Sequence, residues 1–369
     1  MEFNTAKQIL DHFQIDGELI YCKPYGEGHI NTTYMVCFLH ETTPPVRYIL
    51  QEINTNIFQN PEALIENISL VTNYIKEEIK KDGGNVNRET LSLMPSKSGE
   101  FYVNVDSHYY RVYNFIEYAT CYQQATPELF YASAKAFGKF AKQLDGFDAS
   151  LIEDTIKNFH NTVSRFNNFS IALENNSCNR AEEASEEISF IKSRESFCSI
   201  VLDEIENGAI PLRVCHNDTK LNNVMIDNAS QEGICVIDLD TVMQGSLLYD
   251  FGDSIRFGAS SAAEDEENLE SVYCDLAKFD LYVKGYLEEC HSILSPKELE
   301  LLPHAAMLMT FECGMRFLTD YLEGDTYFRV HKPKHNLLRA RNQFKLVADM
   351  EMKLEEMSMI TQKHFSNYR

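Results

Sequence analysis

Alternating apolar and polar positions dominate the first third of the chain. Glu18 to Pro24, Thr32 to Leu39 and Val46 to Ile53 are rich in β-branched and aromatic residues and are parted by turn residues, which predicts three successive strands. Pro61, suited to a first helical turn, opens a helical stretch that Asp82-Gly83-Gly84-Asn85 closes just after Lys81. Further strands are expected over Thr90 to Met94, Glu100 to Val105 and Tyr109 to Phe115, with turns at Ser98-Gly99 and Asp106-Ser107. Between Glu117 and Tyr122 the strand signals give way to helical ones. Helices are predicted from Thr126-Pro127-Glu128 to Leu144 and over 161–175, 181–207, 264–290, 296–322 and 336–358, and capping-box patterns stand at Ser261…Glu264 and Ser295…Glu298. A buried strand, Pro211 to Cys215, and two short strands, Val224 to Ile226 and Ile234 to Ile237, interrupt the helices. The reading is an α+β chain. Residues 1–117 make a small antiparallel β lobe with one helix inserted after its third strand, and residues 118–369 make a larger, mainly helical lobe.

Composition narrows the partners. At 369 residues the chain is too long for one compact core, which agrees with two lobes. Hydrophobic and charged contents of 44% and 24% are ordinary for a globular protein and argue against disorder. A net charge of −23 disfavours nucleic acid and anionic membrane surfaces, which demand a basic face. No apolar run approaches the roughly 18 residues of a membrane span, and Met1-Glu2-Phe3-Asn4-Thr5 lacks a signal-peptide pattern. The ten cysteines contain no C-x-x-C pair and read as free thiols in a reducing cytosol, so a cytoplasmic location is expected. The acidic blocks Glu182 to Glu187 and Glu264 to Glu270 read as solvated helix faces. The oligomeric state is left open, a monomer being compatible with everything above.

The candidate chemistry lies in His216-Asn217-Asp218-Thr219-Lys220-Leu221-Asn222-Asn223, an H-x-D-x-x-x-x-N run on the loop after a buried strand, and in the apolar strand that ends at Asp238. Phosphoryl transfer needs these groups in this order. Asp218 takes or orients the proton of an attacking hydroxyl, while the amide oxygen of Asn223 and the carboxylate of Asp238 suit the Mg²⁺ that bridges the phosphates of ATP. His216 reads as a structural hydrogen-bonder, and Asp240 either as a second metal contact or as a brace for the loop. Gly26 and Gly28, in Tyr25-Gly26-Glu27-Gly28-His29-Ile30-Asn31, sit in the first hairpin, where bare N–H groups can approach phosphates. A kinase-like lobe places a lysine on its third strand. Here Gln51 stands in that place, so either Gln51 acts as a neutral donor or Arg47 or another cation substitutes. Asp250 reads as a helix cap or as a tie for the catalytic loop, and the D-F-G likeness of Asp250-Phe251-Gly252 as coincidental. Arg316, with Tyr321 and Tyr327 nearby, could line a polar pocket or simply pack.

Taken together these residues resemble the aminoglycoside phosphotransferase and choline kinase superfamily, with its protein-kinase-like fold. Within it, Pro24 to Tyr34, Arg47 to Gln51, His216 to Asn223, Asp250 to Gly258, Glu312 to Leu318 and Asp320 to Asp325 are similar to the group of N-acetylhexosamine 1-kinases, in the same order along almost the whole chain. That resemblance implies ATP- and Mg²⁺-dependent phosphorylation of the anomeric hydroxyl of N-acetylglucosamine or N-acetylgalactosamine, with Asp218 as base and Asn223 and Asp238 as metal ligands. It implies sugar contacts from His29, Asn31, Arg316 and Tyr327, and an adenine site along the backbone from Phe115 to Glu117. Two readings stand beside it: another small-molecule kinase of the superfamily, of choline, aminoglycoside or homoserine type, and a nucleotide-binding protein without activity.

Overall fold

The computed structural model describes residues 1–26 and 30–368. It opens with a short helix that the pattern above does not announce, α1 (Phe3–Leu10), whose buried Ala6, Ile9 and Leu10 recur at helical spacing. The expected strands follow as β1 (Glu18–Pro24), β2 (Thr32–Leu39) and β3 (Val46–Glu52). Then come helices α2 (Pro61–Lys81) and α3 (Val86–Glu89), and strands β4 (Val103–Val105), β5 (His108–Asn114) and β6 (Ala119–Thr120). The sheet β1-β2-β3-β5-β4 is antiparallel throughout.

Side-chain alternation gives this sheet two unlike faces. Tyr34, Val36, Phe38, Leu50, Tyr110 and Val112 face one way and join Ala6, Ile9 and Leu10 of α1 in a core. The opposite face carries Met35, Ile49 and Tyr113 in register, and beside them a polar row: Thr33 pairs with Gln51, and Gln51 with Arg111.

Thr90 to Met94, expected as a strand, is not one. It makes a single bridge, Leu93 to Tyr113, with Met94 N–H donating to Val112 O at 2.8 Å. It extends the β5 edge beyond β4, and Pro95, which lacks an N–H, follows at once.

The chain continues with α4 (Pro127–Gln143), α5 (Thr162–Asn175), α6 (Ser185–Lys192), α7 (Leu202–Glu206) and β7 (Arg213–Cys215). After β7 come β8 (Val224–Asp227), β9 (Gly233–Val236) and β10 (Met243–Gly245), then α8 (Leu247–Gly258), α9 (Leu276–Cys290), α10 (Pro296–Glu323), α11 (His335–Met352) and α12 (Leu354–Ser366).

Three expected helices are interrupted. The stretch 181–207 breaks after α6, where the Ser193 hydroxyl turns back onto Phe190 O at 2.9 Å instead of letting the helix run on. The stretch 264–290 begins only at α9, because Asp275 and not Ser261 is the cap: it accepts from the N–H groups of Ala277 and Lys278, while Glu264 is spent on Arg256 at 2.9 Å. The stretch 336–358 breaks at Lys353, whose ammonium reaches back to Asp349 at 2.7 Å and to Cys274 O at 2.9 Å. The capping box at Ser295 and Glu298 forms in both halves, and α10 is 28 residues long.

Two compact units result. The first comprises Met1–Thr120, Gly146–Lys157 and Met225–Met243, the second Cys121–Asp145, Asn158–Val224 and Gln244–Arg369. A single cut after Glu117 therefore does not describe the chain, because two later segments pack with the first stretch. Asn67 of α2 gathers both: its amide donates to Glu153 O at 2.8 Å and to Val242 O at 3.4 Å, and its oxygen accepts from Glu153 N–H at 3.0 Å.

The second unit is built on α8, α9 and α10, with Phe251, Tyr282, Tyr286, Leu302 and Leu308 in its core. All ten cysteines are free. Among the described residues no helix is long and apolar enough to cross a membrane.

Gly252 explains the D-F-G likeness without phosphate chemistry. It lies inside α8, and a Cβ there would run into the carbonyl of Ala305 on α10 and into Met309. The glycine permits close helix packing. Gly252→Ala is expected to force the two helices apart and lower stability by about 1–3 kcal/mol, read by urea denaturation.

Candidate active site

In the second unit, the loop after β7 takes its shape from one buried carboxylate. Asp250, in the first turn of α8, accepts from His216 N–H at 2.8 Å and from Asn217 N–H at 2.7 Å. Burial pushes its carboxyl up, and the two backbone bonds work against that by favouring the charged form. Asn217 is left-handed at φ 65°, a conformation asparagine tolerates, and the chain turns sharply there into Asp218. Below the turn, Thr219 donates to Asp250 O at 2.5 Å, Ser254 donates to Thr219 O at 2.9 Å, and Tyr282 donates to Ser254 at 2.6 Å. His216 is sealed at 0% exposure between the ring edges of Phe137 and Phe140, and its Nδ1 accepts from Asp218 N–H at 3.2 Å. It is a structural part of the loop.

Asp218 and Asn223 are brought together on this loop. Lys220 Nζ lies 2.5 Å from Asp218 Oδ1, and Asn223 Nδ2 donates to Asp218 O at 2.8 Å and to Oδ2 at 3.1 Å. Both carboxylate oxygens are thus oriented. The Asn223 amide nitrogen is spent on Asp218, which leaves Oδ1 as the atom able to face a cation. Burial opposes the charge on Lys220, but Asp218 and Asp253 outweigh it and hold the ammonium above its ordinary pKa.

Beside the loop, His160 donates through Nε2 to Asn217 O at 3.0 Å and through Nδ1 to Glu312 at 2.9 Å. A carbonyl and a carboxylate are both acceptors, so the ring is an imidazolium. Burial opposes protonation, yet the hydrogen bond and charge of Glu312 prevail and raise the His160 pKa. The Glu312 carboxylate, which also accepts from Thr162 at 2.6 Å, is correspondingly held low against its own burial.

Arg316, one turn along α10 from Glu312, makes no hydrogen bond or ion pair among the described residues. Its guanidinium lies 5.9 Å from the Tyr327 ring and 5.4 Å from that of Phe328. The turn bearing these rings is pinned by Asp320, which accepts from the N–H groups of Thr326, Tyr327 and Phe328 at 2.8, 2.7 and 3.0 Å. Arg165 is near enough that, after burial, the charge of Arg316 is what most lowers its pKa, and its buried Nε has no partner.

In the first unit, Asp238 follows β9 in the left-handed region at φ 59°, with its side chain exposed. Asp240 is buried and braced from two sides, by Arg111 Nη2 at 2.5 Å from Oδ1 and by Asn31 Nδ2 at 2.5 Å from Oδ2. Of the two roles open to Asp240, these bonds describe a brace. Asn31 Oδ1 accepts from Asn54 N–H at 2.9 Å, so Asn31, expected at the sugar, is tied into this first-unit network at both ends of its amide. Gly26 is left-handed at φ 79°, with open space where a Cβ would stand. Gly28 and His29 lie outside the described residues. Arg47 stacks over Phe115 with 4.1 Å from guanidinium to ring centroid and is ion-paired with Glu117, whose backbone oxygen accepts from Arg88 at 3.0 Å.

Comparison with known proteins bears on the family and the fold. Residues 98–282, half of the chain, match the model of a family described as the phosphotransferase enzyme family. The chain belongs to that family. Choline kinase from Cryptosporidium parvum Iowa II aligns with this phosphotransferase at a TM-score of 0.59 and 13% identity, over 96% of this chain and 97% of that one. An aminoglycoside phosphotransferase from Alicyclobacillus acidocaldarius gives 0.56 at 11%, over 98% and 96%. A spectinomycin phosphotransferase in complex with ADP and spectinomycin gives 0.54 at 14%, over 96% and 98%. At these identities the likeness is one of fold: a mixed α+β, protein-kinase-like chain with an antiparallel β lobe and a larger helical lobe.

Residue patterns missed His160, Arg165 and Arg111 in this phosphotransferase. Each is a lone residue in its segment, and nothing nearby in sequence marks it. The His160–Glu312 pair carries a pH signature. His160 is raised in the folded state, so its contribution is complete below about 6.5 and is lost as pH rises through the higher folded value. Glu312 is depressed, so its contribution is complete above about 4.5 and is lost on acidification. His160→Gln is expected to cost about 3–5 kcal/mol near pH 6. The gap in Tm from the unsubstituted protein should narrow steadily towards alkaline pH, as followed by thermal denaturation across a pH series.

Proposed function

We propose that the chain is an ATP-dependent kinase that phosphorylates the anomeric hydroxyl of N-acetylhexosamines. Family membership supports phosphoryl transfer to a small molecule, and the ADP and GDP named in the complexes of similar structures support a nucleotide donor. Asp218, oriented by Lys220 and Asn223, orients the acceptor hydroxyl and receives its proton. An anomeric hydroxyl is more acidic than an ordinary alcohol, which suits a carboxylate base. Asn223 Oδ1 and the exposed Asp238 are the hard oxygen donors that fit Mg²⁺, and the ion, when bound, would neutralise charge on the phosphates. Gly26 and Gly28 would cover the phosphates, Phe115 and Glu117 would flank adenine, and His29, Arg316 and Tyr327 would read the sugar, while Asn31 is held by Asp240 and Asn54.

The observation that carries the substrate class is the Arg165–Arg316 pair. Two neighbouring guanidinium groups, one with a buried N–H unpartnered and the other without any hydrogen bond among the described residues, have the Glu312 carboxylate as a nearby counter-charge and still hold N–H groups for further acceptors. A sugar with hydroxyl oxygens and an acetamido carbonyl supplies them, whereas choline or an aminoglycoside would bring a third positive charge. The net charge of −23 and the likeness to choline kinase favour a cationic substrate as the second reading. ADP release with MgATP and a panel of N-acetylglucosamine, N-acetylgalactosamine, choline and kanamycin separates the two, with phosphorus NMR locating the new phosphate. Turnover of the N-acetylhexosamines with an anomeric phosphate is expected; turnover of choline alone would overturn the reading. Asp218→Asn should lower kcat by about 10²–10⁴-fold with nucleotide affinity kept.

A further inference from the structure

The first unit contains a buried cation that does more than brace Asp240. Arg111, on β5, is 1% exposed. Its Nε and Nη2 donate to Gln51 Oε1 at 3.0 and 2.9 Å, Nη2 also meets Asp240, and the buried Nη1 has no partner. Burial works against its charge, yet Asp240 and, further off, Asp238 keep the guanidinium fully protonated. It is sealed, so it cannot itself grip a ligand in this arrangement. Gln51 is different: it is only partly buried, and its Nε2 donates to Thr33 Oγ1 at 3.0 Å. Thr33, Gln51 and Arg111 are direct cross-strand partners, so all three project from one face of the sheet.

Two bonds from a guanidinium onto Oε1 settle the amide orientation, since the opposite flip would set NH₂ against N–H groups. The same bonds draw electron density towards Oε1 and make the amide N–H groups stronger donors. One of these N–H groups is taken by Thr33. The other has no hydrogen-bond acceptor among the described residues. Arg47, the one cation of β3, is committed to Glu117 and the Phe115 ring.

We propose that Gln51 is the phosphate-contacting residue of β3, donating from its amide to an oxygen of the bound nucleoside di- or triphosphate, and that Arg111 is the positioning residue that orients and polarises it. The proposal rests on the nucleotide-dependent reading above. Positive charge is kept one strand away, behind a neutral donor, and the same guanidinium braces Asp240, two residues after Asp238. A strand-three lysine would here be set against a sealed Arg111 robbed of its acceptor.

The test is isothermal titration of the full-length protein with MgADP and, separately, with adenosine, alongside thermal melting. Gln51→Glu is the informative variant. It preserves an acceptor for Arg111, so the fold should hold, but it turns the phosphate donor into an anionic oxygen. The expected result is a loss of MgADP affinity of about ten- to a hundredfold with adenosine affinity unchanged within twofold. Arg111→Lys, which keeps the charge but not the two-bond grip, should weaken MgADP about tenfold with Gln51 intact. A folded Gln51→Glu protein that binds MgADP as tightly as the unsubstituted one overturns the proposal. Should the unsubstituted protein bind no MgADP, the nucleotide reading itself fails, which is a separate outcome.

Discussion

The second unit depends on the carboxylate of Asp250. It sits at the start of α8, buried, and spends its two oxygens on the backbone N–H groups of His216 and Asn217. A loop that must turn through a left-handed asparagine cannot satisfy those donors within regular structure. Supplying the acceptors from a helix packed in the core makes the loop as rigid as the core beneath it. The further bonds from Tyr282 through Ser254 to Thr219 extend the same support to the other side of the turn. Asp218 and Asn223 project from backbone held in this way, and preorganisation of that kind is what phosphoryl transfer asks of a protein, since positioning and charge supply most of its catalysis.

Net charge is a poor guide to the local field here. The chain carries a formal charge of −23, yet the candidate site segments hold their cations close: Arg111 behind Gln51, Lys220 on Asp218, and Arg165 near Arg316. Each is placed by burial and by specific partners, at distances where a neighbouring charge outweighs the diffuse charge of a solvated surface. The acidic stretch around Glu264 is partly structural as well, since Glu264 reaches Arg256.

Much of the architecture was legible because its signals are local. Strands β1 to β3 and helices α2, α4 and α10 could be read from alternation, from Pro61, Thr126 and Ser295 at helix starts, and from Gly83 and Gly84 at a helix end. Where tertiary contacts overrule local preference the reading failed. Ser261 looked like a helix cap, but its hydroxyl donates to Ser271 O at 2.6 Å and Asp275 caps the helix instead. α1 went unseen because two turns give too short a period to stand out. The D-x-x-x-x-N spacing exposed Asp218 and Asn223, since one loop carries both. Arg111 and Asp240 are 129 positions apart, and no window along the chain relates them.

The sequence by itself determined the order of the candidate groups and the nature of most strands and helices, because those follow from residue chemistry and short-range periodicity, but it did not place the Met225–Met243 segment with the first stretch. It also determined that Gln51 stands where a lysine is expected. Only the tertiary structure decided which groups share a charge: that His160 is an imidazolium between a carboxylate and a carbonyl, that Asp240 is a brace, and that a sealed arginine stands behind Gln51. Ionisation depends on burial and on partners brought from far along the chain, and neither quantity exists until the chain has folded.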